Sequence, residues 1–418
     1  MRNEARSPGF APGAGRRPLL SGGTRTTADG LATAAVNVAY VLAALVSVLW
    51  VYRTFEWGYE SEVFGFDFKG TLWDAAIAIR EGRSPYPAPV LEEVEVGNPA
   101  LYPPLLMLFV TPLTFLPWTV AVYLWTALLG VAVAATLFIL GVRDIRCYFL
   151  ALVAQFTVFG LVLGNATLLL VPLVALAWRW RRSWLRCGVV VGLAIAAKLF
   201  LWPLVFWLLG TRRYRAFGAA ATTTVVAVLV PWVLIGFDGL TSYPDLLRIA
   251  EEAYAVHGYS IAALLNGLGV ELELAARAAV AVGIALAAAA FVVGRRGAET
   301  ASVSLAVLAA VLGSPIAWPY YYALLLVPVA IARPRFAGVW VALTLFYASN
   351  WLSRDLLNQR ELEAAGVPCC GRENAPLAVW SVNHSPPALW HALAYTALGA
   401  VLVAYVVLTR RQPAEAST

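Results

Sequence analysis

Charge is scarce in this chain of 418 residues. Asp, Glu, Lys and Arg make up 13% of it and hydrophobic residues 61%, with a mean hydropathy of +0.74. A soluble globular protein carries about 25% charged residues, so water is not the main solvent of this fold. Lysine is almost missing, present only as Lys69 and Lys198. Three histidines (His257, His384, His391) and four cysteines are too few and too scattered for a zinc pattern or a disulfide framework. Cys147 and Cys187 fall at helix ends. The adjacent Cys369 and Cys370 read as free thiols, with a vicinal disulfide outside the cell as the alternative. There is no phosphate-binding P-loop and no Asp-x-Asp pair, so neither a metal-bound nucleotide sugar nor any other cofactor is indicated. The net charge of +6 does not point to nucleic acid, because the bases sit in short clusters between apolar segments.

Long apolar runs fill the rest. They recur at about twenty residues, enough to cross about 30 Å of hydrocarbon as a helix. The fold class expected is all-α, a polytopic transmembrane helical bundle. Residues 1–30, rich in Gly, Pro, Arg and Ser, read as a disordered tail ahead of a first span at 31–52. Residues 54–100 carry nine acids against three bases. The tail is therefore placed inside and that segment outside. Later basic clusters at Arg179–Arg186, Arg212–Arg215, Arg295–Arg296, Arg333–Arg335 and Arg410–Arg411 are placed inside too.

Those assignments fix a parity. Between the first outer loop and Arg179 lie four apolar pieces, near 101–117, 118–141, 147–163 and 165–178, of which an odd number must cross. The proline-rich 101–117 piece is the candidate for a partial or re-entrant helix. Residues 187–211 form an out-and-back pair hinged near Lys198. Further spans fall at 215–236, 273–294, 299–316, 318–332, 336–353 and 388–409. The total is about twelve, with a membrane domain over 31–409, a short tail at 410–418 and both termini cytoplasmic. The long outer segments are 54–100, 237–272 and 354–387. Within them, Phe68, Leu72, Ala75, Ala76 and Ile79 share one helical face, as do Leu246, Leu247, Ile249 and Ala250; each helix is able to lie in the membrane interface.

Ionisable residues among apolar ones are candidates for function, because burying one costs about 2.5–3.5 kcal/mol on insertion scales. Lys198 has no acid near it in sequence, which suits a phosphate ligand; snorkelling or a distant acid are the alternatives. Asp67 follows the first span and precedes an apolar helix face. Desolvated there, it would be a better proton acceptor than a solvated acid. Tyr86 and Tyr102, each beside a proline, are candidates to stack on a sugar, or belong to an interfacial aromatic belt. Asn165, after Gly164 in an apolar run, needs a hydrogen-bond partner. His257, in the second outer loop, is a further phosphate candidate.

The order of these features resembles glycosyltransferase family 87 over roughly 31–335. Its pieces are Asp67, then Gly82-Arg-Ser-Pro-Tyr86, then Tyr102-Pro-Pro-Leu105 with Pro112 and Pro117. Gly164-Asn165-Ala-Thr-Leu-Leu, the stretch from Gly192 through Lys198 to Pro203 with Arg212-Arg213, and Ser314-Pro-Ile-Ala-Trp318 follow. The resemblance implies a GT-C fold and transfer of a hexose, mannose in the mannoside enzymes of the family, from a polyprenyl-phosphate donor to a lipid or glycan acceptor on the outer face. It makes Asp67 the general base. Two departures stand out. Where the family has a histidine pair, this chain has Tyr320 and Tyr321, and Gly258-Tyr259-Ser260 replaces Asn-Gln-Ser. Donor phosphate binding is therefore assigned to Lys198, Tyr320, Tyr321 or His257, and further substrate contacts to Tyr86, Tyr102, Asn165 and Ser260. A plasma-membrane protein of a bacterium with a GC-rich genome is expected. A lipid-linked glycan flippase and a non-catalytic envelope scaffold are the rival readings.

Overall fold

The computed structural model describes residues 25–91, 94, 98–256, 258–347 and 386–409. His257, His384, Cys369, Cys370, residues 354–385 of the segment 354–387 and the terminal tails assigned from sequence (1–24 of the first) lie outside the described residues. Among the described residues every regular element is helical.

The first helix, α1 (Arg25–Glu60), continues beyond the span boundary read from sequence, so residues 54–60 are helical. Residues 66–80 form α2, a continuous helix whose Lys69–Trp73 turn is π-helical and whose remainder, Asp74–Arg80, is α. Next come α3 (Leu105–Val110, extended by the 3-10 turn Thr111–Phe115) and α4 (Trp118–Ile139). The apolar piece read at 147–163 is two helices, α5 (Ile145–Val153) and α6 (Gln155–Leu163), bent by 57°. Ala154 between them is extended (ψ 139), which interrupts the helical ladder.

Then follow α7 (Thr167–Arg179), α8 (Trp184–Ala197), α9 (Leu204–Gly210) and α10 (Tyr214–Leu234). Residues 237–272 supply α11 (Tyr243–Tyr254) and α12 (Ile261–Gly267). The last elements are α13 (Leu272–Arg295), α14 (Glu299–Leu312), α15 (Leu326–Ala332, preceded by the 3-10 turn Pro319–Leu325), α16 (Gly338–Ala342) and α17 (Pro386–Thr409).

Five of these helices, α1, α4, α10, α13 and α17, are long and apolar enough to cross a membrane, or six counting the bent α5–α6 pair. They carry outward apolar side chains, such as Leu45 and Leu49 on α1, Val131 and Phe138 on α4 and Leu234 on α10. Such a surface is stable against lipid tails and not against water. The shorter apolar helices, α3 among them, span 10–17 residues each.

Small residues set the packing of the bundle. A Cβ on Gly188 or Gly192 of α8 would lie 2.5 Å from the carbonyl oxygen of Ala216 or Ala220 on α10, and one on Gly283 of α13 would lie 2.6 Å from Gly313. Glycine at a four-residue spacing lets two backbones meet at that distance, which is how helices attract in a membrane.

The two amphipathic helices read from sequence form, and their apolar faces turn into the protein. Phe68, Leu72, Ala75 and Ala76 of α2 are buried in the main core, as are Leu246, Ile249 and Ala250 of α11. Burial against protein satisfies the same stripe that the interface would have taken, and it fixes the two helices rigidly over the bundle.

Candidate active site

Two left-handed glycines bring the segment after α1 onto the bundle. Gly65 (φ +76) starts α2 and donates its N–H to the Val162 carbonyl at 2.7 Å. Gly164 (φ +72) ends α6, and a Cβ there would lie 2.8 Å from the Phe68 Cβ and 3.5 Å from the Gly65 Cα. Any side chain at 164 would push the two segments apart. The ring of Phe68 then stacks on Trp125 (4.7 Å), whose indole N–H donates to the Gly164 carbonyl at 2.7 Å.

This approach delivers Asp67 to Asn165. The Asp67 carboxylate accepts from Asn165 Nδ2 at 2.7 Å on one oxygen and from Asn98 Nδ2 at 3.1 Å on the other. The Tyr320 hydroxyl also favours its ionised form. Asp67 lies in the first turn of α2, where a carboxylate favours the helix dipole, and just ahead of the π-helical turn. Such turns recur at functional sites.

On its other side Asn165 meets a cation. Its Oδ1 accepts from Lys198 Nζ at 3.3 Å, from the Thr167 hydroxyl at 2.7 Å and from the Thr167 amide at 2.9 Å, at the start of α7. Lys198 Nζ also donates to Thr167 Oγ1 at 2.8 Å. Lys198 terminates α8 in an extended conformation (φ −147, ψ 111) before the 3-10 turn Leu199–Leu201. A cation is favoured at a helix C-terminus. At 3% exposure it does not snorkel to an interface.

Three tyrosine rings enclose the ammonium, with Nζ 4.5 Å from the centre of Tyr102, 4.8 Å from Tyr321 and 5.7 Å from Tyr320. Tyr321 is itself stacked on Phe200 at 4.5 Å. Gly160 of α6 makes room for Tyr320, since a Cβ there would stand 3.0 Å from the Tyr320 Cβ.

The strap that carries Asn98 and Tyr102 is held from outside by tyrosine hydroxyls. Tyr86 donates to the Tyr102 carbonyl at 2.8 Å, Tyr243 to the Leu101 carbonyl at 3.0 Å, and Tyr254 to the Val94 carbonyl. Asn98 adopts a left-handed conformation (φ 43), one that Asn tolerates better than most residues.

Six of the residues singled out from sequence therefore converge: Asp67, Asn165, Lys198, Tyr102, Tyr320 and Tyr321. Two do not join them. The Tyr86 ring is buried, stacked on Trp232 (5.1 Å) and packed against Tyr243 at a steep angle, and its hydroxyl holds the Tyr102 carbonyl. Ser260 is fully buried, and its hydroxyl caps α12 by accepting from the Ala263 amide at 3.0 Å. Asn98 and Thr167 were not singled out. The one sign of Asn98 is its place before Pro99, which reads as an ordinary turn; Thr167 lies inside the Gly164-Asn165-Ala-Thr stretch and draws notice only through its neighbour.

Burial pushes the Asp67 carboxyl above the usual carboxylate range, against the opposing pull of the Asn165 hydrogen bond, the Lys198 charge and the Tyr320 and Asn98 hydrogen bonds. A buried carboxylate with spare lone pairs, an ammonium one amide away and three phenols can accept a proton at one point and hold an anion at another.

Fold and site together define a helical membrane protein in which a buried carboxylate, an amide and an ammonium are joined in one network. A sequence model of glycosyltransferase family 87 matches residues 100–319, more than half of the chain. The chain belongs to glycosyltransferase family 87, and membership implies membrane glycosyltransferase activity acting on a sugar donor and an acceptor. No protein of curated function and no solved structure matches it.

Proposed function

We propose that the chain transfers a hexose, mannose by analogy with the mannoside enzymes of the family, from a polyprenyl-phosphate donor to a lipid or glycan acceptor outside the plasma membrane of a bacterium. The observation that carries this reading is the wiring of Asp67 through Asn165 to Lys198. Asp67 removes the proton from an acceptor hydroxyl as that oxygen attacks the anomeric carbon. The bond to the donor phosphate breaks with its electron pair leaving on the phosphate oxygen, and Lys198 neutralises the phosphate charge. Tyr320 and Tyr321 stand where the family's histidine pair would and donate hydrogen bonds without adding charge. Tyr102 and Asn165 line the space between base and cation. Polyprenyl phosphate serves as the leaving group, so the reading needs no nucleotide and no metal.

In this reading the shorter apolar helices also cross the membrane or enter it, giving about twelve spans of GT-C type over 31–409. The tails 1–30 and 410–418 are cytoplasmic. The segments 54–100, 237–272 and 354–387 lie outside, the first of them carrying the base. Asp67 and the outer helices α2 and α11 then share one face, and the arginine clusters the other, as the positive-inside rule asks.

Membranes containing the chain, supplied with a polyprenyl-phosphate sugar and a lipid acceptor, are expected to elongate the acceptor. A deletion strain is expected to make a truncated envelope glycolipid. Accumulation of the intact glycolipid on the inner leaflet would instead identify a flippase.

A further inference from the structure

A second polar site lies at the far end of the α7–α8 hairpin. Thr167 and Lys198, in the network around Asp67, stand at one end of that hairpin; Arg179 and Trp184 stand at the other. Thirteen and fourteen helical residues separate the two ends, about 20 Å at 1.5 Å per residue. There the turns after α7 and α9 and the start of α10 enclose an open cleft of about 570 Å³, lined by Arg181, Arg182, Arg212, Arg213 and Arg215.

Of these, Arg181 and Arg213 share Glu299 at the start of α14, with Arg181 at 3.6 Å, and both are half-buried. Arg182, Arg212 and Arg215 are exposed. Five cations face one carboxylate, leaving an excess of four positive charges. Two helices begin at this cleft, α8 and α10, and neither has a side chain capping its first turn, so their free N–H groups add to the attraction for an anion. Arg212 adopts φ +60, a left-handed position that glycine usually fills at the end of a helix, and it lines the cleft.

The rim is apolar and aromatic. Trp184 and Tyr214 line the cleft and are 50% and 58% exposed, and Leu185 beside them is 51% exposed. From Tyr214 the outward face of α10 continues with exposed Val225, Val226 and Leu229. Trp and Tyr at the start of an apolar helix face mark the level of lipid headgroups.

We propose that this cleft binds the phosphate headgroup of an anionic phospholipid on the membrane face opposite Asp67, with the acyl chains lying along α10. Guanidinium groups hold phosphate oxygens in paired hydrogen bonds, and the aromatic rim seats the glycerol region. This site is independent of the transfer reaction and is read without turnover.

The test is native mass spectrometry of the full chain released from nanodiscs of phosphatidylcholine containing a minor share of phosphatidylglycerol. The pocket variant is Arg182→Gln/Arg212→Gln/Arg215→Gln, which leaves the Glu299 pairs intact. The control, Arg179→Gln/Arg186→Gln/Arg296→Gln, removes the same charge from exposed positions outside the cleft. The wild type and the control should retain one phosphatidylglycerol, and the pocket variant should bind it at least tenfold more weakly. Adding millimolar inorganic phosphate should not displace it. Equal loss in both variants, no preference for phosphatidylglycerol in the wild type, or displacement by inorganic phosphate would each overturn the proposal; the last would identify a site for soluble phosphate.

Discussion

Asp67 and Lys198 are joined through one side chain. The Asn165 amide donates to the carboxylate from Nδ2 at 2.7 Å and accepts from the ammonium on Oδ1 at 3.3 Å. An amide is polar at both ends and carries no charge, so it holds base and cation apart at fixed spacing without merging them into an ion pair. That arrangement leaves each free to engage a substrate group of its own.

The cation should act on the donor. Lys198→Ala is expected to raise KM for the polyprenyl-phosphate sugar much more than Lys198→Arg does, because only the first removes the charge. Equal and negligible changes in donor KM would reduce Lys198 to a structural group and move phosphate binding to Tyr320 or His257.

The pH profile carries a sign. A general base must be ionised, so kcat/KM should be full above the raised Asp67 value and fall as pH drops through it. Its acid limb should therefore lie above the ordinary value of about 4. The Lys198 charge favours the carboxylate, and Lys198→Met should move the limb to still higher pH among whatever activity remains. A limb near 4 in both proteins would argue that Asp67 is solvated during turnover.

The glycine contact makes a prediction about assembly. Gly164→Ala forces a side chain into a left-handed position, at about 1–2 kcal/mol, and into Phe68 at 2.8 Å. It should lower the thermal unfolding midpoint in detergent and reduce activity together. Gly218→Ala, in open space on α10, should change neither. Indistinguishable unfolding of the two variants would remove the close approach as the device that delivers Asp67.

Topology is tested by labelling after Cys369 and Cys370 are replaced by serine, since Cys147 and Cys187 are buried. Val90→Cys and Glu252→Cys should react with an impermeant maleimide in intact cells. Arg182→Cys and Arg212→Cys should react only after permeabilisation. Labelling of position 182 from outside would invert the assignment of the arginine face.

Much of the centre was legible in the sequence because its members break local rules. Lys198 is a charge inside an apolar run, Asn165 a bare amide after a glycine, and Asp67 an acid ahead of an apolar helix face. Their mutual contacts were not legible, since they join positions far apart in the chain and depend on two glycines whose φ a sequence does not display. The Tyr86 packing was not legible because a tyrosine beside a proline looks the same whether its ring faces a ligand or Trp232. The α5–α6 bend was missed for a related reason. Nothing in Val153-Ala154-Gln155 breaks a helix on propensity alone, and its extended backbone follows from tertiary packing.

The central claim rests on Asp67 as proton acceptor, and Asp67→Asn addresses it with the least disturbance. Asparagine keeps the size and part of the hydrogen bonding to Asn98 and Asn165 but cannot take the acceptor's proton. Transfer from a polyprenyl-phosphate sugar should be measured in membranes carrying Asp67→Asn and, for comparison, Asp74→Asn two helical turns further along α2. Turnover by Asp67→Asn should fall by about 10²–10⁴-fold, the usual worth of a positioned base, with expression and donor binding preserved and Asp74→Asn affected far less. Near-normal turnover by Asp67→Asn would contradict the assignment of the base and, with it, the mechanism.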